Sequence, residues 1–408
     1  MHRGAAVTGM GWLTSLGSDV DLVWSQLVDG VTGTRPYTDP VAPVSPTRIA
    51  GLVDFDPAEH LPDEEVRRTS LHQQMLYAAV SLATEDMAWS DPSRVALIVG
   101  TGGGAITEVA TSYAKTTPGE WSAVDRTIAL RTIPNMAAGF VARQLGIHGP
   151  CLTISTACAA STDAIGIGLG LLRAGVVDVV VAAGVEAWVD WAGLGAFAKL
   201  GVLSSRPVEE AASASRPFDA SRDGLVPANG SAALVLESPR HAQARSATVL
   251  AELCGYSATC DAYSPLAPAP NGRAATAAIV GALADAHISP GDIGHVNSHG
   301  TGTKVNDAVE TSVLKKALGQ HAWDVPITAT KSMLGHSFGA CGAIEAIATI
   351  QALRHQVVPP TANLEHADPD CDLDYTPKQS RHAQFEHALT VNFGLAGQNA
   401  ALVFRAAS

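Results

Sequence analysis

An α/β architecture with mainly parallel sheets follows from three features of the 408-residue sequence. Strand-like and helix-like segments alternate in both halves of the chain, the pattern of helices packed on parallel strands. The run Val176–Ala183, with five valines, has the continuous apolar character of a strand buried on both faces. Four apolar runs end abruptly in small or reactive residues, where open α/β sheets place their ligands. The length exceeds the usual limit of one hydrophobic core, so two domains or two fused halves are expected. The pattern starts again near residues 240–250, which sets the halves at 1–245 and 246–408.

Taken in order, residues 5–17 read as a short strand, a glycine turn and a helix start. Residues 31–70, rich in Pro and Asp, read as a surface excursion. Gln73–Met87 has helical spacing and ends at the turn Asp91-Pro92-Ser93. The strand Val95–Val99 runs into Gly100-Thr101-Gly102-Gly103-Gly104-Ala105, which fits the dinucleotide pattern G-x-G-x-x-A. A confirming acidic residue belongs about 20 positions on, after a second strand. Glu120 and Asp125 lie near that distance with no strand before them, so a nucleotide site is set aside. Thr132–Met136 opens a helix that closes at Gly146. Beyond the Cys158 region, Ser204–Arg216 is a polar connection, Arg216–Gly224 a loop and Ala232–Glu237 a strand. The second half continues with a strand, the proline-rich loop Asp261–Gly272, a helix over Ala274–His287 and another strand.

Composition narrows the class. Hydrophobic residues make up 47% of the chain and charged residues 16%, ample for a large core. A net charge of −13 argues against a general nucleic-acid surface. No apolar run reaches membrane-spanning length; the richest, Val176–Val185, is broken by Asp178 and Gly184. The N-terminus lacks the apolar core of a signal peptide. Six cysteines with no C-x-x-C and no zinc spacing read as reduced thiols of a cytoplasmic enzyme, with no metal site.

Leu152–Ile154 is a strand that meets Cys158, after which Thr162–Leu172 reads as a helix. A thiol at a helix start faces free N–H groups and the positive end of the dipole, which favours thiolate. Gly166, Gly168 and Gly170 are costly inside a helix unless it is tightly packed in the middle of the protein. Cys158 is either a nucleophile or a buried structural thiol, the commoner fate of a lone cysteine. Three more strand ends decide between them: Val296–Ser298 before His299, Ile327–Ala329 before Lys331 and His336, and Leu389–Asn392 before Phe393. Brought to one crevice, these residues support thiol acyl transfer. The thiolate takes an acyl group, and amides at Cys158 and Phe393 hold the oxyanion. Two neutral histidines stabilise an enolate formed by decarboxylation. Glu310 is the candidate partner of Lys331, either as a structural salt bridge or as a pair that orients the histidines.

These residues resemble the β-ketoacyl-acyl carrier protein synthases (ketosynthases) of the thiolase superfamily, in the elongating Cys-His-His class. The nucleophile motif is TACAAS (Thr156–Ser161), the first histidine motif HGTGT (His299–Thr303), the lysine–histidine motif KSMLGH (Lys331–His336) and the glycine-rich turn NFGLAG (Asn392–Gly397). VTGMGWLTSLG from Val7, IPNMAAG from Ile133, VAAGVEA from Val181 and SRPFD from Ser215 extend the likeness over essentially the whole chain. The resemblance implies a thiolase fold, a duplicated five-layer αβαβα arrangement with two mainly parallel or mixed sheets, dimeric through the region near the nucleophile. It implies acyl transfer from acyl carrier protein to Cys158, then decarboxylative condensation with malonyl-carrier protein assisted by His299 and His336. Lys331 and Glu310 would organise the site. No metal or other resident cofactor is implied, because the phosphopantetheine belongs to the carrier; Thr301 and Thr303 are candidates to hydrogen-bond it. Arg67, Arg68, Lys199 and Arg206 are candidates for docking the acidic carrier.

Two departures shape the pathway expectation. The family's Gly-Phe-Gly-Gly-Thr-Asn turn stands here as Gly394-Leu395-Ala396-Gly397-Gln398-Asn399, with Leu395 in place of an aromatic that gates the acyl pocket. The usual Gly-Glu-Gly appears as Ala228-Asn229-Gly230. Both point away from housekeeping fatty-acid elongation, the alternative reading, and toward a type II polyketide or related specialised pathway. With no carrier or acyltransferase domain before the end at Ser408, a discrete subunit is expected, as a homodimer or as a heterodimer with a chain-length-factor-like subunit. A non-catalytic subunit of that kind normally lacks the cysteine. A hydrolytic cysteine enzyme is the remote third class.

Overall fold

The computed structural model describes residues 4–39, 47–114 and 120–407. The first three residues, part of the 31–70 excursion and Ser408 lie outside them. The main sheet contains β1 (Ala5–Leu13), β2 (Val95–Gly100), β3 (Cys151–Ile154), β4 (Val179–Glu186), β5 (Gly230–Glu237), β6 (Ala251–Cys260), β7 (Ile293–Asn297), β8 (Ile327–Thr328), β9 (His387–Gly394) and β10 (Gln398–Ala406). Their spatial order is β8-β7-β9-β10-β6-β1-β5-β4-β2-β3. The first five strands and the last five repeat one topology: the third, second and fourth strands run parallel, and the fifth and first close the set antiparallel. The two expected sheets are joined edge to edge where β1 meets β6 antiparallel, Ala5 opposite Leu253 and Val7 opposite Ala251.

Six helices complete the layers: α1 (Leu71–Ala83), α2 (Asn135–Leu145), α3 (Ala160–Arg173), α4 (Arg273–Ala286), α5 (Lys304–Leu318) and α6 (Cys341–His355). α1 and α2 cover the outer face of β1–β5, α4 and α5 the outer face of β6–β10, and α3 with α6 lie between the two halves. The result is α-β-α-β-α. The middle position explains the composition of its helices. Cys341 to Leu353 of α6 is buried without a break, as a helix apolar on all sides must be. A Cβ on Gly342 would lie 2.0 Å from Thr162 Oγ1, and one on Gly166 would lie 2.2 Å from the Tyr256 ring, so both helices use glycine for close approach. Gly170 has open space around it, and nothing in the structure explains it.

Two sequence readings shift. The strand expected over Val176–Ala183 begins at Val179, because Gly175 (φ +67°) closes α3 and the Val176 amide turns back to the Leu171 carbonyl at 3.0 Å. The helix expected over Gln73–Met87 starts at Leu71 behind a Ser70/Gln73 capping box and ends at Ala83, short of Met87. The glycine run after β2 wraps a buried side chain of this chain. Glu186 accepts from Gly102 N at 2.6 Å, from Gly339 N at 3.0 Å and from Thr101 Oγ1 at 3.1 Å.

Candidate active site

The carboxyl ends of β3, β7, β8 and β9 deliver the site. Past β3 the chain enters a single tight turn, Ala157–Ala159, with Ala157 at φ +51°, which sets Cys158 at the head of α3. Past β7 comes His299. Past β8 a short helix, Lys331–Leu334, presents Lys331, and Gly335 (φ +77°) turns the chain to His336. His336 is tied by main-chain bonds to Val226 and Ala228 at 2.7 and 2.8 Å. The Cys158 sulfur and one ring nitrogen from each of His299 and His336 lie within 4.8 Å of one another. The two imidazoles meet edge to face, centroids 5.5 Å apart, and the Phe393 ring stands edge-on to His299.

Hydrogen bonds set the tautomers. The Phe338 amide donates to His336 Nδ1 at 3.1 Å, and the Lys331 ammonium reaches His299 Nδ1 at 3.2 Å. Each ring therefore accepts at Nδ1 and carries its proton on Nε2. Burial, then the Lys331 charge, holds both rings well below the usual imidazole value, so both are neutral. Burial pushes the Cys158 thiol up to about 11, while Lys331 and the Leu395 amide pull it the other way. The expected thiolate is thus a correction: at this helix head the loss of water outweighs the free N–H groups, and the resting group is the thiol.

One further assignment moves. The carboxylate paired with Lys331 is Glu345 of α6, and both groups are almost completely buried. Glu310 instead accepts from the His299 and Gly300 amides at 2.6 and 2.8 Å, clamping the main chain that presents His299. Its position on α5 aims it at the loop after β7, whereas Lys331 rises against α6. Phe393, whose amide is the second expected oxyanion donor, lines the cavity together with Cys158. A Cβ on Gly394 would lie 3.3 Å from the Cys158 amide, which places the turn directly against the nucleophile. Glu345 carried a readable signal, as the one charged residue between Cys341 and Leu353.

A cavity of about 390 Å³ opens from Cys158, His299 and His336. Phe197, Val202, Leu225, Phe338 and Leu395 give it apolar walls, and Thr301 and Thr303 lie along it with their hydroxyls 3.0 Å apart. None of the four docking candidates lines it. Lys199 is exposed at the end of the helix Trp191–Lys199, two residues before the lining Gly201. Arg67 and Arg68 are exposed on the helix Asp63–Arg68, with Arg68 paired to Glu64 at 2.7 Å. Arg206 is engaged within the chain by Glu210 at 2.5 Å and the Ser221 carbonyl at 2.9 Å.

Comparison with known proteins agrees with this geometry. The family model described as Beta-ketoacyl synthase, N-terminal domain, matches residues 3–242, and that described as Beta-ketoacyl synthase, C-terminal domain, matches residues 250–365. The chain is 38% identical to the 3-oxoacyl-acyl-carrier-protein synthase 2 of Synechocystis sp. over 404 residues, 98% of this chain and 97% of that one. It is 37% identical over 420 residues to the tetracenomycin polyketide synthase ketoacyl synthase alpha subunit of Streptomyces glaucescens, 99% of this chain and 97% of the relative. Among solved structures, a type II PKS acyl-carrier protein in complex with its ketosynthase bound to the hexaketide matches with a TM-score of 0.92 at 31% identity, each chain covered completely. The ishigamide ketosynthase/chain length factor matches with a TM-score of 0.91 at 32% identity, again with complete coverage of both chains. With domain models along most of its length, and with a cysteine and two histidines from three remote strand ends drawn together as the sequence motifs imply, the chain belongs to the β-ketoacyl synthase family.

Proposed function

We propose that this chain extends an acyl chain held on Cys158 by decarboxylative Claisen condensation with malonyl-carrier protein, as a discrete subunit of a type II polyketide or related specialised pathway. The observation that carries the reading is the meeting of one sulfur and a ring nitrogen from each of two buried histidines on the wall of one cavity. In the first stage the Cys158 sulfur attacks the carrier thioester. The oxyanion is held by the Cys158 and Phe393 amides, and the thiol proton leaves on the departing pantetheine sulfur. In the second stage malonyl-carrier protein loses carbon dioxide, and the electron pair of the broken C–C bond becomes an enolate. Its oxygen accepts from His299 and His336. Neutral donors suit this step, because the charge is then stabilised only as it develops. The enolate carbon attacks the Cys158 thioester and the sulfur leaves, free to be protonated again. No resident cofactor enters this scheme; the pantetheine arm comes with the carrier, along Thr301 and Thr303.

Relatives include both fatty-acid and polyketide synthases. The Leu395-Ala396 pair in the turn at Cys158 favours the specialised pathway, since it alters the wall that faces the acyl group. The carrier would dock near the cavity mouth, with Lys199 the best placed of the four basic candidates. A second subunit of the same fold, either another copy or a chain-length-factor-like chain, would cover the edge strand β3. Leu152 there is 40% exposed and Ile133, ahead of the neighbouring α2, is 50% exposed. We assign the duplicated units to 1–245 and 246–408, and the protein to the cytoplasm, where its six unpaired thiols stay reduced. Incubation with acyl- and malonyl-carrier protein tests the activity. Chain extension supports it, whereas hydrolysis without extension, or binding alone, overturns it.

A further inference from the structure

The centre contains a buried polar side chain that the two-stage scheme does not use. Asn392 is fully buried on β9, one residue before Phe393. Its side-chain oxygen accepts from the Thr162 hydroxyl at 2.5 Å, and its amide nitrogen donates to Glu345 Oε2 at 2.6 Å. The same nitrogen lies 3.4 Å from His299 Nδ1 and 3.4 Å from the Cys341 sulfur. The orientation of this carboxamide is set by its neighbours: turned over, its oxygen would face both His299 Nδ1 and the Glu345 carboxylate that pairs with Lys331. One side chain thus touches three parts of the machinery. Thr162 lies one helical turn beyond Cys158 on α3, Glu345 is the counter-ion of Lys331, and His299 is one of the two Nε2–H donors.

The two oxygens of Glu345 are divided between partners, Lys331 on Oε1 and Asn392 on Oε2. Without the amide, Oε2 would be an unpaired charge acceptor in a site closed to water, and the carboxylate would turn to offer both oxygens to the ammonium. That motion draws the Lys331 nitrogen away from His299 Nδ1. An imidazole that loses its donor at Nδ1 is free to carry its proton there, and the Nε2 facing the cavity then becomes an acceptor, which repels an enolate. An uncharged amide is well suited to the position. A cation would add a second positive charge beside His299, and a hydrocarbon would leave Oε2 bare.

We propose that Asn392 is a positioning residue for the condensation step. It fixes Glu345, and through it Lys331, so that His299 is held as an Nε2–H donor in register with the helix that carries Cys158. The inference rests on the reading of the site as a condensing centre and deepens it. It separates the two stages, because acyl transfer to Cys158 uses main-chain donors that Asn392 does not touch.

The test measures the two stages separately in the full-length enzyme: acyl transfer to Cys158 by intact mass, and extension with malonyl-carrier protein by product formation. Asn392→Leu fills the same space without polar atoms. It is expected to lower the extension kcat about a hundredfold while acyl transfer stays within about threefold of wild type. Thr162→Val removes only the anchor of the carboxamide oxygen and is expected to lower extension about tenfold, again sparing acyl transfer. It carries the test if Asn392→Leu does not fold. Extension at wild-type rate in the variants overturns the proposal. A parallel fall of both stages does the same, since that is the mark of a purely structural role. A wild-type enzyme that loads but never extends instead overturns the condensing reading itself.

Discussion

Lys331 decides how the two imidazoles behave. Its ammonium sits between the Glu345 carboxylate and His299 Nδ1, and its charge discourages protonation of both rings. From this follows a division of labour that single substitutions expose. Cys158→Ala removes the acyl acceptor, so no mass shift appears on incubation with acyl-carrier protein; an acylated variant would contradict the assignment. His299→Ala or His336→Ala keeps acylation measurable and lowers extension by about a hundredfold or more, the cost of one donor to a developing oxyanion. Extension at the normal rate in either variant refutes that residue's role. The pH dependence has a definite sign. An ordinary histidine gains its proton near pH 6.5. Here the folded values lie well below that, so both rings remain neutral donors as the pH falls through 6.5. The extension rate of enzyme already acylated is therefore flat from about pH 8 to about pH 6. A limb near pH 6.5 that disappears in His336→Ala would show that burial and Lys331 do not set the protonation state.

Elements were legible where local pattern decides them and obscure where tertiary contact does. The apolar runs of β2 and β4, the helix opened at Cys158 and the helix closed by Gly146 lie close to where residue spacing puts them. Glu310, one helical turn past Asn306-Asp307, is the partner that the sequence suggests for Lys331, and the structure gives Glu345 instead. The true partner depends on which helix fills the middle layer, and that is a property of the packed molecule. The turn after β9 shows the same contrast. Its departure from the family pattern was readable as Leu395 and Ala396, but its φ was not. Ala396 sits at φ +63° in the left-handed region, held by a bond from its amide to the Pro265 carbonyl at 2.9 Å. A side chain there costs about 1 kcal/mol relative to glycine. Ala396→Gly is therefore expected to raise stability to urea by about that amount, and a lower unfolding midpoint would show that the methyl group makes a compensating contact. Leu395→Phe enlarges a side chain that lines the cavity beside Cys158 and narrows the range of acyl lengths accepted. An unchanged product profile across a series of acyl-carrier proteins would remove Leu395 from the gate.

At the scale of the molecule, duplication is what brings four remote strand ends together. Each half alone has one crevice at the ends of its parallel strands. Setting the halves edge to edge at β1 and β6, with α3 and α6 packed between, turns the nucleophile of one half toward the histidines of the other. The repeat was legible because the strand–helix pattern restarts near residue 245; the continuous sheet was not, since three residue pairs far apart in sequence create it. Among the described residues the same sheet leaves β3 as an end strand, hydrogen-bonded on one side only, to β2. An end strand that shows leucine to solvent invites pairing, and proteins that tolerate one normally cover it. Leu152→Lys places a charge on that edge without touching the core, since Leu152 is 40% exposed in the single chain. If a second subunit covers β3, the substitution converts the two-subunit species seen by sedimentation velocity into single chains while circular dichroism is unchanged. Extension then also falls, because the strand that leads into Cys158 has lost its support. Sedimentation identical to wild type would mean that the subunits meet elsewhere, and that β3 is guarded by some feature of its own.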